Sequence, residues 1–483
     1  MPKLGKTIGI ALLAAGAWWA QGRGGANVLQ QYISVNAPVV ALEHVTVIDG
    51  TGAAARRDQT VILAQGRIQA IAPANAARVP PDAKVMDMTG DSVFPGLVGM
   101  HDHMFYPAPS GGARAPGTPA LYNEMGFSFP RLYLAGGVTT LRTTGSVMPY
   151  TDLGLKKAID AGRMIGPHIY VTGPYLEGVG AYTPNMHELT GPDDATRTVN
   201  YWAAEGVTSF KAYMHITHDE LAAAIQAAHA HGLKITGHLC SIGFREAADL
   251  GIDDLEHGIE VDTEFDTGKQ ENACPAGQQT SETLAHLDLN SSAFKAMIAD
   301  LVRHHVAVTS TLPVFEISVP GRPPLQPRVL DALSAPARTD YLMGRDRIAK
   351  GKGAQTEIFE KEKQFERAFV AAGGTLLAGL DPTGYGGVLA GYGDQREVEL
   401  LVEAGFTPLE ALHIATENGA NFLGIGDHIG TLAAGKAADV VVVKGDPSQH
   451  IADIENVQIV FKDGVGYDSA KLAASVAGAV GLH

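Results

Sequence analysis

The stretch that decides the fold class is residues 206–258, GVTSFKAYMHITHDELAAAIQAAHAHGLKITGHLCSIGFREAADLGIDDLEHG. Three short apolar runs in it, ending in FKAYM, KITGHL and DDLEHG, alternate with segments whose apolar spacing is typical of helices. Thr217 followed three residues later by Glu220 predicts a capping box at the start of the first helix, and Gly232 supplies its stop. Strands that alternate with helices in this way predict a parallel sheet.

The same alternation continues on both sides of this stretch. A second capping box, Thr407 with Glu410, has proline at the first helical position. Five further apolar runs end at MHDH (100–103), VTTLRTTG (138–145), IYVTGP (169–174), VAVTSTL (306–312) and TLLAGLD (375–381). Eight runs with helices between them predict an α/β fold, a (β/α)8 TIM barrel over residues 95–424, with its active site at the C-terminal ends of the strands.

The two ends of the chain have a different pattern of apolar and turn residues. Residues 38–94 and 425–467 contain short β-branched runs separated by Asp-Gly and other glycine turns, which predict antiparallel strands. We expect the two segments to pair into one small β-sandwich domain, followed by a C-terminal tail at 468–483.

The N-terminus resembles a secretory signal. Lys3 and Lys6 precede the apolar stretch Thr7 to Ala20, which is shorter than the ~20 residues that cross a bilayer. We therefore expect residues 1–22 to be a signal peptide and the protein to be exported, to the periplasm. An uncleaved N-terminal anchor is the alternative, because the cleavage signal is poor. The later apolar runs are shorter and interrupted, so no membrane span is predicted beyond this segment.

Composition excludes several partners. The 483 residues carry a formal net charge of -16, which repels nucleic acid and anionic membranes.

The two cysteines, Cys240 and Cys274, are too few for a disulfide framework, and the sequence leaves open whether they pair. A homo-oligomer is compatible with the sequence, which does not determine the oligomeric state.

Histidines stand where strands end. His101 and His103 are two residues apart, so strand geometry points both imidazoles to one side, where they can hold a divalent ion. His238 and His257 close the fifth and sixth runs, and Asp381 ends the eighth. Each of these residues alone has an ordinary structural explanation. Their coincidence at the strand ends of one barrel predicts a shared metal centre.

Lys211 ends the fourth run and is the unusual member of the group. Burial in a barrel mouth lowers the pKa of an ammonium and leaves a nucleophilic amine. Such an amine can add carbon dioxide and become a carbamate, an anionic ligand able to bridge two metals. The alternative is a lysine that snorkels to the rim.

This order of residues resembles the metal-dependent amidohydrolase superfamily. The similarity rests on PGLVGMHDH (95–103), GGVTTLRTTG (136–145), Lys211 and the tail IGTLAAGKAADVVVVKGDP (429–447). The segment 237–258 is similar to the imidazolonepropionase-like and prolidase-like branch, whose binuclear members include dipeptidases.

The resemblance implies two divalent ions, with zinc favoured by imidazole and carboxylate ligands. His101, His103 and Asp381 would hold the more buried ion, His238 and His257 the more exposed one, and the carbamate of Lys211 would bridge them. Asp381 would act as base and then as acid. Tyr213, on the same strand face as Lys211, is a candidate donor to the substrate carbonyl, or else a packing residue of the barrel.

The activity implied is hydrolysis of an amide bond in a small molecule, a dipeptide or N-acyl amino acid, as in a prolidase or carboxypeptidase. Two alternatives stay open: a hydrolase of cyclic amides or imidazolones, and a noncatalytic scaffold with the same fold. We expect the long segments 104–130, 261–290 and 313–355 to be loops that select the substrate. The polar side chains considered as further substrate contacts are Arg322, Arg328, Arg338, His187 and His215.

Overall fold

A computed structural model describes residues 29–110, 121–351 and 353–482. Its centre is a sheet of eight parallel strands whose spatial order follows the chain, nearly closed into a barrel. This confirms the predicted (β/α)8 barrel. From first to eighth, the barrel strands are Leu97–Asp102, Val138–Thr143, His168–Leu176, Ser209–Ala212, Lys234–Gly237, Asp254–Glu256, Ala307–Ser310 and Leu376–Ala378.

The first and eighth strands meet at the mouth of the barrel. The backbone N–H of Asp381 donates to the carbonyl oxygen of His101 over 3.0 Å. This approach requires a glycine, since a Cβ on Gly379 would lie 2.4 Å from the Cβ of His101. The closure therefore brings the last predicted ligand beside the first.

Helices surround the strands, and both predicted capping boxes are present. The side chains of Thr217 and Thr407 accept from the backbone N–H of Glu220 and Glu410, and each glutamate returns a bond to its cap. The helices are Phe129–Ala135, Pro149–Asp160, Pro192–Glu205, His218–Ala230, Phe244–Leu250, Gly277–His286, Ser292–Arg303, Leu312–Glu316, Pro327–Ala332, Ala335–Lys350, Gln355–Ala371, Tyr392–Glu403, Pro408–His413, Gly419–Phe422 and Ser469–Ala474, with single turns of other helix types at Gly258–Val261, Ile414–Asn418 and Ile451–Glu455.

Two of the segments expected to be loops contain helices. Ala335–Lys350 lies within 313–355 and is capped by the Ser334 side chain, and Gly277–His286 lies within 261–290. Ala335–Lys350 buries only Ala337, Tyr341 and Gly344. A helix that buries so few side chains lacks the apolar periodicity by which we predicted the others.

A second sheet joins the two chain ends, as predicted. Val440–Lys444 pairs antiparallel with Asp91–Pro95, with Val442 opposite Val93. The sheet is one continuous mixed sheet around its own buried valine-rich core. Its strands are Ile33–Val35, Val39–Val47, Arg56–Ala64, Arg67–Pro73, Lys84–Asp87, Asp91–Pro95, Val440–Lys444, Val457–Lys462 and Val465–Asp468. A separate hairpin, Phe105–Pro107 with Tyr122–Glu124, lies beyond the first barrel strand.

The two cysteines form a disulfide between Cys240 and Cys274, which answers the question that the sequence left open. The predicted signal segment, residues 1–22, lies outside the described residues. Across the described part of the chain, no helix combines the length and the apolar character that spanning a bilayer requires.

Candidate active site

All six predicted ligands lie at the C-terminal mouth of the barrel. Each of them lies in or just after the end of a barrel strand. Two belong to the first strand, one inside it and one just after it, and one lies inside the fourth strand. One directly follows the fifth strand, one directly follows the sixth, and the last lies three residues beyond the eighth. In that order they are His101, His103, Lys211, His238, His257 and Asp381.

The carboxylate of Asp381 lies among three imidazoles. Its Oδ2 is 3.7 Å from Nε2 of His101 and 3.9 Å from Nε2 of His257. Its Oδ1 is 3.6 Å from Nε2 of His103. The Nζ of Lys211 lies 3.1 Å from Nε2 of His101. The structure therefore brings five of the six predicted ligands together around one centre.

His238 adjoins this group through its ring. The ring centroid lies 4.5 Å from that of His257 and 4.8 Å from that of Tyr213. One ligand atom from each of His101, His257 and Asp381 lies within 4.8 Å of the others. The division of ligands between two ions, which placed His103 rather than His257 with His101, stays a prediction.

Hydrogen bonds fix the direction of the imidazoles. Nδ1 of His103 donates to the carbonyl oxygen of Gly145 over 3.1 Å, and Nδ1 of His101 lies 2.8 Å from a carboxylate oxygen of Glu256. Because a carbonyl or carboxylate oxygen accepts, the protons belong on Nδ1, and each Nε2 offers a lone pair to the centre. Nδ1 of His257 is similarly engaged, 2.7 Å from the hydroxyl of Thr311.

Glu256 and Arg142 were missed by the sequence analysis. The guanidinium of Arg142 is buried, donates to Glu256 over 2.8 Å and also donates to the carbonyl oxygen of Met100. Burial opposes ionisation of Glu256, but Arg142 and Lys211 outweigh it and lower the pKa of that carboxyl. The sequence does show Glu256 directly before the predicted ligand His257, in LEHG. It does not show that Glu256 pairs with His101, because that contact is made across the barrel.

Burial sets the protonation of the central groups. It lowers the pKa of Lys211 to about 8 and raises the pKa of Asp381 to about 6. Desolvation, together with the charge of Lys211, lowers the pKa of His238 to about 3 and the pKa of His101 well below its ordinary value. Neutral imidazoles and an amine that loses its proton readily are the forms that ligation and carbamate formation require.

Two of the six residues have unusual backbone geometry. His257 has φ of 74° and Asp381 has φ of 50°, both in the left-handed region. Residues other than glycine adopt this backbone conformation at a cost of about 1–3 kcal/mol, and such strained residues are concentrated at functional sites. Both residues stand just beyond strand ends, where the chain turns to present them to the mouth.

The donor set fits a metal. Nε2 of His257 is buried and has no hydrogen-bond partner among the described residues, although an imidazole nitrogen in such a place needs one. Several imidazoles, a carboxylate and an amine converge here. Ligands of this kind suit zinc and similar divalent ions.

Tyr213 lies at the edge of the centre. Its ring adjoins that of His238, and its hydroxyl donates to the hydroxyl oxygen of Tyr182 over 3.4 Å. The ring of Phe105 stacks on that of His103 with centroids 4.3 Å apart. One wall of the mouth is thus aromatic, and the catalytic role of Tyr213 stays a prediction.

Several side chains considered for substrate binding are engaged elsewhere. Arg322 is bound by the carboxylate of Glu403 at 2.6 Å, and Arg328 by Glu455 at 2.7 Å. Two histidines also have acidic partners: His187 with Asp194 at 3.0 Å and His215 with Glu177 at 3.4 Å.

The barrel fold and the ligands that converge at its mouth indicate the class of protein to which this chain belongs. The sequence matches the Amidohydrolase family over residues 92–335 and 365–465, and the chain belongs to that family. It is accordingly a metal-dependent hydrolase of carbon–nitrogen bonds. The curated proteins contain no match to the sequence.

Solved structures share the fold at low identity. A Xaa-Pro dipeptidase with bound methionine in its active site is 20% identical, with 89% of this chain and 100% of that chain covered and a TM-score of 0.65. Phenylurea hydrolase B is 20% identical, with 90% and 98% covered and a TM-score of 0.65. Molinate hydrolase is 17% identical, with 91% and 96% covered and a TM-score of 0.63.

Proposed function

We propose that this protein hydrolyses the amide bond of a small substrate, a dipeptide or an N-acyl amino acid. The observation that carries the proposal is the complete set of six side chains at the barrel mouth, with the Nε2 atoms of three imidazoles around one carboxylate. A scaffold that had lost its activity would have no need to keep this set. The prolidase-like segment 237–258 and the dipeptidase among the structural neighbours favour the substrate class.

The proposed centre holds two divalent ions, with zinc favoured. Lys211 would bridge them as a carbamate, its amine attacking the carbon of carbon dioxide and losing a proton as the N–C bond forms. The position of Nζ, which is buried and lies 3.1 Å from Nε2 of His101, supports this role. When bound, such ions supply a nucleophilic hydroxide at neutral pH and polarise the amide carbonyl.

The chain's own residues would handle the protons. Asp381 would accept the proton of the attacking water and later deliver it to the leaving amine, as one carboxylate that serves in turn as base and acid. Arg142 and Glu256 would hold His101 in place from behind. Tyr213 would donate a hydrogen bond to the substrate carbonyl in place of the one that its hydroxyl donates to Tyr182.

The test is a screen of zinc-loaded enzyme against dipeptides, N-acyl amino acids, lactams and esters, with metal counted in the same preparation. We expect about two equivalents of metal per chain and turnover of members of the first two groups. Activity confined to lactams or imidazolones would overturn the substrate class. A purified chain that binds no metal would support the scaffold.

We also propose that the protein is exported. The charged and apolar N-terminal segment supports this, and so does the Cys240–Cys274 disulfide, since such bonds persist in oxidising compartments. Expression with the native N-terminus, followed by fractionation and N-terminal sequencing, tests it. A cytoplasmic protein that retains Met1 would contradict export, whereas a membrane fraction that retains Thr7 to Ala20 would support the anchor.

A further inference from the structure

A second imidazole–carboxylate cluster lies at the opposite end of the barrel from the active site. It consists of His168, the first residue of the third barrel strand, with Asp439 and Asp463, which lie next to strands of the second sheet, called the accessory sheet below. One ligand atom from each lies within 4.8 Å of the others. His168 is at the N-terminal end of its strand, whereas the active site is at the C-terminal ends.

We infer that His168, Asp439 and Asp463 form a separate structural site for a zinc-like divalent cation, which binds the barrel to the accessory sheet. The site is distinct from the proposed catalytic centre, shares no residue with it, and its presence does not depend on the proposed function.

The first argument is an unpartnered carboxylate oxygen. Asp439 is 5% exposed, and its Oδ1 accepts from the backbone N–H of Asp463 over 2.8 Å. Its Oδ2 is buried and has no hydrogen-bond partner within the described parts of the chain. Because leaving a buried carboxylate oxygen unpaired is costly, this atom needs a proton, a bound water or a cation as its partner. The same feature, an unpartnered buried ligand atom, marks His257 at the active site.

The second argument is the spacing of the ligands. Nε2 of His168 lies 3.2 Å from Oδ2 of Asp463. Two ligands about 2.0 Å from a tetrahedral zinc ion stand roughly 3.3 Å apart, so this pair has the separation that one ion would impose. Asp439 contributes the third ligand, and water would complete the shell. The side chains of His168 and Asp463 are 33% and 55% exposed, so an ion can enter from solvent.

The third argument is charge. Two carboxylates converge on one imidazole, and Lys462 offsets part of their charge: Nζ of Lys462 lies 3.2 Å from Oδ2 of Asp463. Lys462 therefore competes with the ion for one carboxylate but leaves Oδ2 of Asp439 without a partner.

The position of the cluster indicates what an ion would do there. Asp439 directly precedes the strand Val440–Lys444, and Asp463 lies in the turn between Val457–Lys462 and Val465–Asp468. An ion held by these residues and His168 would join two units that are otherwise connected here by hydrogen bonds and ion pairs. The expected role is stabilisation rather than catalysis.

The experiment counts zinc in the full-length protein after equilibration with buffered zinc. His168→Ala should bind one equivalent less than the wild type, and zinc should raise its unfolding temperature less. His229→Ala is the matched control, because His229 pairs with Asp253 at 3.0 Å beside Lys234 but belongs to none of the three-ligand groups found in the described chain. It should bind as much zinc as the wild type.

Two further variants separate ligation from folding. Asp439→Asn should lose the same equivalent, and Lys462→Met should bind zinc more tightly because it removes the competing cation. Equal zinc in the wild type and His168→Ala, with no change in Lys462→Met, would overturn the site. Since the measurement is a difference between variants, it stands whether or not the enzyme hydrolyses amides.

Discussion

Nδ1 of His101 lies 2.8 Å from Oε2 of Glu256, and neither side chain is exposed to solvent. The contact joins the first and sixth barrel strands across the interior. Glu256 in turn is held by Arg142, so a buried charged pair stands behind a predicted metal ligand. Such a partner fixes the proton on Nδ1 and raises the basicity of Nε2.

Replacing Glu256 tests this arrangement. Glu256→Gln removes the charge that compensates Arg142 and weakens the orientation of His101, so we expect metal affinity to fall about 10–100-fold. Competition with a chromophoric chelator measures the affinity. Thr311→Val, which removes the uncharged partner of His257, should have a smaller effect. Equal effects of the two variants would contradict a special role for the carboxylate.

Asp381→Asn should separate metal binding from proton transfer. The amide keeps an oxygen that can face a metal but cannot accept the proton of water. We expect turnover to fall about 10²–10⁴-fold while bound metal and unfolding temperature stay close to the wild type. Turnover within a factor of a few of the wild type would show that Asp381 is not the base.

Lys211→Ala should remove the bridging group and leave space for a substitute. Added acetate or formate should restore part of the metal content and activity, because a short carboxylate can take the place of the carbamate. Lys363→Ala is the control: Lys363 is also buried, but it pairs with Glu403 at 3.0 Å, away from the centre. Its activity should not respond to carboxylates, and failure of rescue in Lys211→Ala would count against the bridge.

The lowered pKa of Glu403 leads us to expect that the stability of the fold depends on pH. Hydrogen bonding from Arg322 lowers the pKa of Glu403 to about 2, against the opposing effect of burial. Because the folded-state pKa is below the unfolded value, the contribution is fully present above about pH 4.5 and is lost as the pH falls towards 2. Glu403→Gln should therefore lower the unfolding temperature at neutral pH, and the difference from the wild type should shrink below pH 4. A constant difference across this range would contradict the ion pair as its source.

The Cys240–Cys274 bond should stabilise the loops that follow the fifth and sixth strands. The two residues are 34 positions apart, for which loop-closure entropy gives about 3–4 kcal/mol. Cys274→Ser should unfold at lower denaturant and be cleaved faster by protease between 262 and 276. Non-reducing peptide mapping identifies the bond directly, and two free thiols in the native protein would contradict it.

Much of the site could be predicted because of how a parallel barrel is built. Its strands all end at one mouth, so a residue's place at a strand end decides that it faces the same space as the others. His101, Lys211 and His257 could thus be brought together without knowing any contact between them. The pairing of the chain ends was predictable for a similar reason, since each half exposes strand edges that need a partner.

Other features depended on contacts between distant segments. Glu256 behind His101, the orphan oxygen of Asp439, and the ion pairs of Arg322 each arise where side chains meet across elements far apart in the chain. No periodicity or local motif encodes such meetings, because they depend on the packing distance and on the rotamer at each site.

The sequence by itself therefore determined the alternation of strands and helices, and with it the end of the barrel at which the chemistry stands. The tertiary structure alone decided which atoms of those side chains face each other, because hydrogen bonds and desolvation act over a few ångströms and exist only after the chain has folded.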